Sequence, residues 1–402
     1  MKILYVINQI SDWSGDSGLL WLSAKFMQKR GHEVSIATTD GNPFSDPSSF
    51  QKYSKVVKKI SGSNEKGVLI NDIRVIPVHS ISSNFGMFSQ NAGKIAKKIV
   101  STFDIVHIYS WYHHIGIEFF KAAKKFHIPV VFTAMGTLQS DAQTFNKTQK
   151  SIIDLLYTKK IIQYASILHS VGTSEIKSYT NLGGDRNKII QIENGIDLKD
   201  FELFEESDIL TKYNIQNKSY ILFLSRIHPK KGLELLLNSF NEFCHENKEI
   251  LLVIAGSGQT DYVDKIKKIV ENFNLINRVK FTGLISHDEK LTLLKHAKLF
   301  TLTSKSDIHP RAIQEALTMG VPVVISEESD YPEVKEYQAG VLVNLNHKEI
   351  SNVFSKLLAD EEKLTHFSHN AKKLIREKFL VEDQIDKLEM TYAKILSEQN
   401  TT

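Results

Sequence analysis

Residues 223–240 read FLSRIHPKKGLELLLNSF. The apolar, β-branched run Tyr220–Leu224 has the composition of a buried strand, and Leu233–His245 repeats its apolar residues at helical spacing. Between them, Arg226 follows the strand and Lys231 opens the helix. Arg226 can grip phosphate oxygens with two parallel N–H groups and Lys231 acts as a point charge, while the first helical turn adds backbone N–H groups. That combination suits a diphosphate, although the spacing alone fits an exposed basic turn equally well.

The same strand–helix alternation continues in both directions. Upstream, the apolar runs are Ile3–Ile7, Val34–Thr39, Val75–Val78, Ile105–Tyr109, Val130–Thr133 and Ile167–Val171. Downstream they are Ile250–Ala255, Val279–Phe281, Leu299–Thr303, Val321–Ile325 and Val341–Val343, with a further amphipathic stretch at Glu289–His296. Alternation of this kind predicts parallel sheets covered by helices on both faces, and two series predict two doubly wound α/β domains. The break is expected in the charged stretch near Asp197–Tyr213, giving domains at 1–205 and 206–380. After Glu349 the pattern is helical, with Asp360 and Asp383 as expected caps. The Pro/Ser-rich piece Gly41–Ser49 reads as a surface loop.

In open parallel sheets, ligands gather beyond the carboxyl ends of the strands. Two glycine-bearing loops occupy such places. Ser14-Gly15-Asp16-Ser17-Gly18 follows the first strand and precedes a helix expected from Leu19, and Gly256-Ser257-Gly258 follows Ile254-Ala255. Glycines there let a backbone approach a phosphate or a sugar. Position 261 is Asp, so no G-x-G-x-x-G dinucleotide pattern forms. A third loop, Ser304 to Arg311, carries Asp307, and Glu315 follows within a helix. These carboxylates could accept hydrogen bonds from sugar hydroxyls, or serve as a helix cap and a surface charge.

Composition narrows the class further. With 42% hydrophobic and 24% charged residues, the 402-residue chain is ordinary for a soluble globular protein. No apolar run reaches the roughly 18–20 residues of a membrane span. The lone Cys244 excludes an intrachain disulfide and fits a reducing cytoplasm. Residues 1–200 hold 24 Lys and Arg against 16 Asp and Glu, net +8; residues 201–402 hold 26 against 30, net −4. Lys52, Lys55, Lys58, Lys59, Lys94, Lys97, Lys98, Lys121, Lys124 and Lys125 supply much of this excess, several at helical spacing. They read either as a solvated surface or as attraction to an anionic membrane or acidic acceptor. Aromatic interleaving is absent, which argues against nucleic acid as a partner. The sequence has no Asp-x-Asp, no G-x-x-x-x-G-K-[ST] and no G-x-S-x-G, so neither a metal–diphosphate site of that type nor a cofactor is expected.

These residues, in this order, resemble family 4 of the retaining glycosyltransferases, which have the GT-B fold of two Rossmann-like domains facing a cleft. The likeness is strongest in FLSRIHPKKGLELLLNSF at 223–240, LVIAGSGQTDY at 252–262, VKFTGLISHDEKLTLLKHAKLF at 279–300 and EALTMGVPVV at 315–324. It extends more loosely to FTAMGTL at 132–138, YASILHS at 164–170 and IENGID at 192–197.

The resemblance implies a metal-independent transferase with a nucleotide-sugar donor, such as a UDP- or GDP-sugar, and a glycan or lipid-linked acceptor. Arg226 and Lys231 would hold the donor diphosphate, Glu315 the ribose, and Asp307 the sugar hydroxyls. Gly15, Asp16 and Gly18 would lie near the phosphates and the acceptor. Met135, Gly136, Gly256, Pro310 and Arg311 would complete the donor site, and a helix from about residue 381 to 402 would rejoin the first domain. The family's usual employment implies cell-surface polysaccharide or glycolipid synthesis in the cytoplasm or on the inner membrane face.

Departures from the pattern keep two other readings open, an inactive nucleotide-sugar-binding partner subunit and a nucleotide-sugar epimerase of the same fold. Asp307 replaces a glutamate, and Pro310 has no N–H to offer the donor. Met135 replaces a histidine that commonly meets the donor-sugar 6-hydroxyl, which implies a sugar held differently at C6.

Overall fold

A computed structural model of the chain describes residues 1–10, 15–41, 59–60, 67–83, 86–139, 147–247 and 249–399. Residues 42–49 of the expected Pro/Ser-rich loop, and Lys52, Lys55 and Lys58, lie outside the described residues. The described chain divides into two compact units, Met1–Gly195 with Val381–Thr402, and Ile196–Leu380.

The first unit is built on β1 (Lys2–Gln9), β2 (Glu33–Thr39), β3 (Val68–Ile70), β4 (Ile73–Val78), β7 (Ile105–Tyr109), β8 (Val130–Thr133), β9 (Ile167–Ser170) and β10 (Ile189–Gln191). Two short strands between them, β5 (Ile81–Ser83) and β6 (Gly86–Phe88), form a separate antiparallel pair. The sheet order is β10-β9-β8-β7-β1-β2-β4-β3, parallel except where β3 meets β4. Successive side chains of a strand point to opposite faces. Accordingly, Leu4 and Val6 join Val106, Ile108 and Phe132 in one apolar core, while Ile3, Tyr5 and Ile7 join Ile105 and Val131 in another. Burial on both faces is what the unbroken apolar runs demand. The C-terminal helix Val381–Gln399 contributes Val381, Ile385, Leu388, Tyr392 and Ile395 to the second of these cores.

The second unit carries β11 (Tyr220–Leu224), β12 (Leu251–Ala255), β13 (Val279–Gly283), β14 (Leu299–Leu302), β15 (Val323–Ser326) and β16 (Gly340–Val343). Its order is β13-β12-β11-β14-β15-β16, and every pair is parallel. The helices Leu233–Cys244, Thr260–Asn272, His287–His296 and Arg311–Thr318 follow successive strands. Each unit is thus a Rossmann-like α/β sheet.

Three details differ from the sequence reading. The first unit ends at Gly195, not 205, because Ile196, Phe201 and Ile209 are buried in the core of the second. The chain there is pinned by Ile196 N–H donating to the Phe379 carbonyl at 2.8 Å. The first helix starts at Gly15, so Gly15 and Gly18 lie in its first turn and not in a loop. Asp383 lies in the first turn of its helix and is not its cap, whereas Asp360 does cap, accepting from Lys363 N–H at 2.9 Å.

Candidate functional site

In the second unit the predicted residues converge where β11, β12, β14 and β15 end. After β11 the chain turns through Arg226 and a single 3-10 turn, Pro229–Lys231, into the helix Leu233–Cys244. His228 caps that turn, its Nδ1 accepting from Lys230 N–H at 3.1 Å. Gly232 sits at φ 70°, and a Cβ there would lie 1.9 Å from the Thr303 carbonyl oxygen. Gly256 is at φ 141°, where a Cβ would lie 1.9 Å from the Ser225 carbonyl oxygen. No side chain fits at either place, so the loops after β11, β12 and β14 pack backbone to backbone. Hydrogen bonds tie them together: Ile227 N–H to Ser257 O at 2.8 Å, Lys305 N–H to Lys230 O at 2.8 Å and Ser304 Oγ to Lys230 O at 3.1 Å.

Arg226 is exposed and makes no ion pair among the described residues. Lys231 Nζ lies 2.5 Å from Asp307 Oδ2, and Lys230 Nζ lies 3.9 Å from Oδ1. Asp307 therefore does not cap a helix; Pro310 takes the capping position of Arg311–Thr318. Burial, then Arg226, Lys230 and Lys231, push the His228 imidazole below its ordinary pKa.

Glu315 is buried at 5% exposure, not a surface charge. Its Oε1 accepts from Lys290 Nζ at 2.6 Å and from Arg311 Nε at 3.2 Å. Burial alone would raise its carboxyl, but the two cations outweigh it and hold the pKa below the ordinary value. Glu315 is thereby kept an ionised acceptor. Arg311 Nη1 is buried without a hydrogen-bond partner among the described residues. Sequence reasoning missed Lys290, whose charge on an amphipathic helix carries no signal until its neighbour across the fold is known.

The residues predicted in the first unit lie on its own strand ends. Met135 and Gly136 follow β8 in consecutive left-handed conformations, φ 53° and 75°. The helix Thr173–Asn181 holds this turn from two successive turns of its own. Glu175, 1% exposed, accepts from Gly136 N–H at 2.7 Å and Val171 N–H at 2.9 Å; Tyr179 Oη accepts from Ala134 N–H at 2.8 Å. Met135 lines a pocket within this unit together with Tyr109, His169, Glu193, Asn194 and Gln384. In the first turn of the opening helix, Ser17 Oγ donates to the Gln9 carbonyl at 3.2 Å. Neither Glu175 nor Tyr179 was singled out in the sequence. Among the described residues no group of three or more His, Cys, Asp or Glu could hold a metal ion.

Two Rossmann-like units, the second with cations gathered at one strand end, are the arrangement of a glycosyltransferase of the GT-B fold, and comparison with known proteins agrees. Residues 206–374 match the family described as Glycosyl transferases group 1, and residues 20–200 match Glycosyltransferase Family 4. The chain belongs to these GT-B glycosyltransferases of group 1 and family 4. It is 26% identical over 374 residues to the uncharacterized glycosyltransferase MJ1607 of Methanocaldococcus jannaschii, covering 89% of this chain and 88% of that one. It is 31% identical over 139 residues to the alpha-monoglucosyldiacylglycerol synthase of Streptococcus pneumoniae, covering 33% and 31%. In other curated relatives the match spans about half of either chain. The crystal structure of Anabaena Alr3699/HepE in complex with UDP and glucose shares the fold, with a TM-score of 0.77 at 19% identity, covering 98% of this chain and 100% of that one.

Proposed function

We propose that the protein moves a sugar from a nucleotide-sugar donor to a glycan or lipid-linked acceptor with retention of anomeric configuration and without a metal. The observation that carries this reading is the gathering of Arg226, Lys230 and Lys231 in one turn after β11, with Lys231 Nζ 2.5 Å and Lys230 Nζ 3.9 Å from the Asp307 carboxylate. Such a cluster can neutralise a departing nucleoside diphosphate.

In the proposed reaction the bond from the anomeric carbon to the diphosphate oxygen breaks. The acceptor oxygen bonds the same face, and its proton passes to the leaving diphosphate. Arg226 and Lys231 hold the diphosphate, Glu315 accepts from the ribose hydroxyls, and Asp307 accepts from the sugar. Lys231 is paired with Asp307 without donor, so donor binding divides the Lys231 ammonium between carboxylate and phosphate. Gly136, with its N–H held by Glu175, offers a fixed turn to the sugar, and Gly15, Asp16 and Gly18 serve the phosphates and acceptor. Cell-surface polysaccharide or glycolipid synthesis on the cytoplasmic face of a membrane completes the proposal. It is supported by the lysine excess of the first 200 residues.

Calorimetric titration of UDP, GDP, ADP and their sugars, without metal, tests it. One nucleotide sugar should bind, and Arg226→Ala should weaken it by about tenfold or more. Among the sugars, one lacking the 6-hydroxyl should bind no worse than its hydroxylated counterpart, since Met135 offers no good partner there. Silence from the whole panel would overturn the donor reading.

A further inference from the structure

A line of buried polar side chains crosses the first sheet on the face covered by the helix Val381–Gln399. Tyr392 Oη lies 2.6 Å from His107 Nδ1 on β7, and His107 Nε2 lies 2.6 Å from Thr133 Oγ1 on β8. Thr133 Oγ1 lies 2.8 Å from His169 Nδ1 on β9, and His169 Nε2 lies 2.8 Å from the Ile192 carbonyl oxygen after β10. These strands are neighbours in that order, and Thr133 and His169 are register partners. Chemistry fixes the direction of every bond. The Ile192 carbonyl can only accept, so His169 Nε2 carries a proton. In a neutral imidazole Nδ1 is then bare and accepts from the Thr133 hydroxyl. That hydroxyl has a single hydrogen, so its oxygen accepts from His107 Nε2–H, and His107 Nδ1 in turn accepts from the Tyr392 hydroxyl.

The line touches two places beside Met135. Thr133 ends β8 and leads directly into the turn of Ala134, Met135 and Gly136. Ile192 opens the segment to Gly195, which lines one pocket together with Met135 and His169 itself. A proton added to either imidazole breaks the line. On His169 it would meet the Thr133 hydroxyl hydrogen at Nδ1, and on His107 that of Tyr392. The surroundings offer little compensation. His107 stacks on Tyr109 at 4.0 Å between ring centres and meets Tyr5 and His169 edge-on at 5.7 Å. Tyr5 and Tyr109 also face Tyr392. Glu193 is the acid that acts on His169, and Lys387 from the C-terminal helix stands 3.5 Å from its carboxylate. Burial holds both imidazoles below their ordinary pKa, and His169 adds repulsion at His107. With folded values depressed in this way, the neutral line is intact above the ordinary histidine range and lost as pH falls through the folded values.

We propose that Tyr392, His107, Thr133 and His169 form a one-way hydrogen-bond line that positions the turn Ala134–Gly136 and the Ile192 segment for the donor sugar, and that transfer requires both imidazoles to be neutral. The role of the turn rests on the donor reading above; the direction of the line does not, and it is tested without donor. Nitrogen NMR of the full chain with isotope-labelled histidine should show both rings neutral and protonated at Nε2 at neutral pH. Tyr392→Phe should move the His107 Nδ1 signal, and Thr133→Val the His107 Nε2 and His169 Nδ1 signals. A ring protonated at Nδ1 in either place overturns the line. In turnover assays Thr133→Val should cost about tenfold or more, while the free nucleoside diphosphate, held by the second unit, binds as it does to the parent. Thr133→Ser keeps the hydroxyl and should restore turnover. Tyr392→Phe removes a donor to the neutral ring, so the acid limb of turnover should move towards neutral pH by about half a unit or more. Unchanged turnover in Thr133→Val with an unmoved acid limb in Tyr392→Phe would reduce the line to packing and end the proposal. Diphosphate binding lost along with turnover in Thr133→Val would do the same, by marking general damage to the fold. If the parent binds no nucleotide sugar, the donor reading and the role of the turn fall together, and the nitrogen signals still decide the line.

Discussion

Glu315 holds two cations, Lys290 and Arg311, on one carboxylate oxygen in a nearly closed environment. Removing one partner of such a cluster leaves uncompensated buried charge. Glu315→Gln should destabilise the chain by about 3 kcal/mol at neutral pH, measured by urea unfolding. Because the folded carboxyl titrates below its ordinary value, its stabilisation is complete above the unfolded-state pKa and lost as pH falls through the folded one. The gap between parent and variant should therefore close as pH drops below the ordinary carboxylate range; a gap that persists there would show the cluster is not ionic. Residues of this kind were half legible in the sequence. Arg226 and Lys231 announce themselves in a cationic turn after a strand, but Lys290 lies 25 positions from its partner, and nothing local marks it.

At the scale of elements, the helix Thr173–Asn181 works as a bracket for the turn after β8. Tyr179 Oη takes the Ala134 N–H and itself donates to the His169 carbonyl at 2.9 Å, all fully or largely buried. Tyr179→Phe leaves a buried N–H and a buried carbonyl each short of a partner. It should cost about 1–3 kcal/mol in chemical unfolding, without an expected change in secondary structure by circular dichroism. The apolar runs of the sequence marked the long strands because burial on both faces leaves an unbroken apolar signature. The strands β3, β5, β6 and β10 escaped notice at three residues each, too short for any period to register. Gly15 and Gly18 misled in the other direction: as loop formers they suggested a start at Leu19, yet both are tolerated in the first helical turn.

For the whole molecule, the informative feature is a unit assembled from both ends of the chain. The helix Val381–Gln399 buries five apolar side chains against the first sheet. It also places Tyr392 Oη 2.6 Å from His107 Nδ1 and Glu389 2.7 Å from Arg30 and 2.8 Å from His32. At about 1.5–3 kcal/mol per fully buried side chain, this packing contributes on the order of 10 kcal/mol, as much as a typical domain's net stability. A chain cut after Leu380 should therefore lose hydrogen-exchange protection throughout β1 to β10 while β11 to β16 keep theirs. Uniform protection in both would show that the helix is dispensable. That a terminal helix would rejoin the first domain was legible only through family likeness. The sequence between, rich in charge from Asp197 to Tyr213, put the boundary too late because Phe201 and Ile209 are isolated apolar residues whose burial depends on the second unit.

This split assembly sets an order on biosynthesis. Residues 196–380 are complete before the ribosome has made the helix that closes the earlier unit. Domains usually mature from the N-terminus as they emerge. Here the later-made unit is the first that can finish, and the earlier one waits with an apolar groove uncovered. The nascent chain is thus most in need of chaperone cover in its oldest part, and a slow stretch of translation before residue 381 would lengthen that exposure.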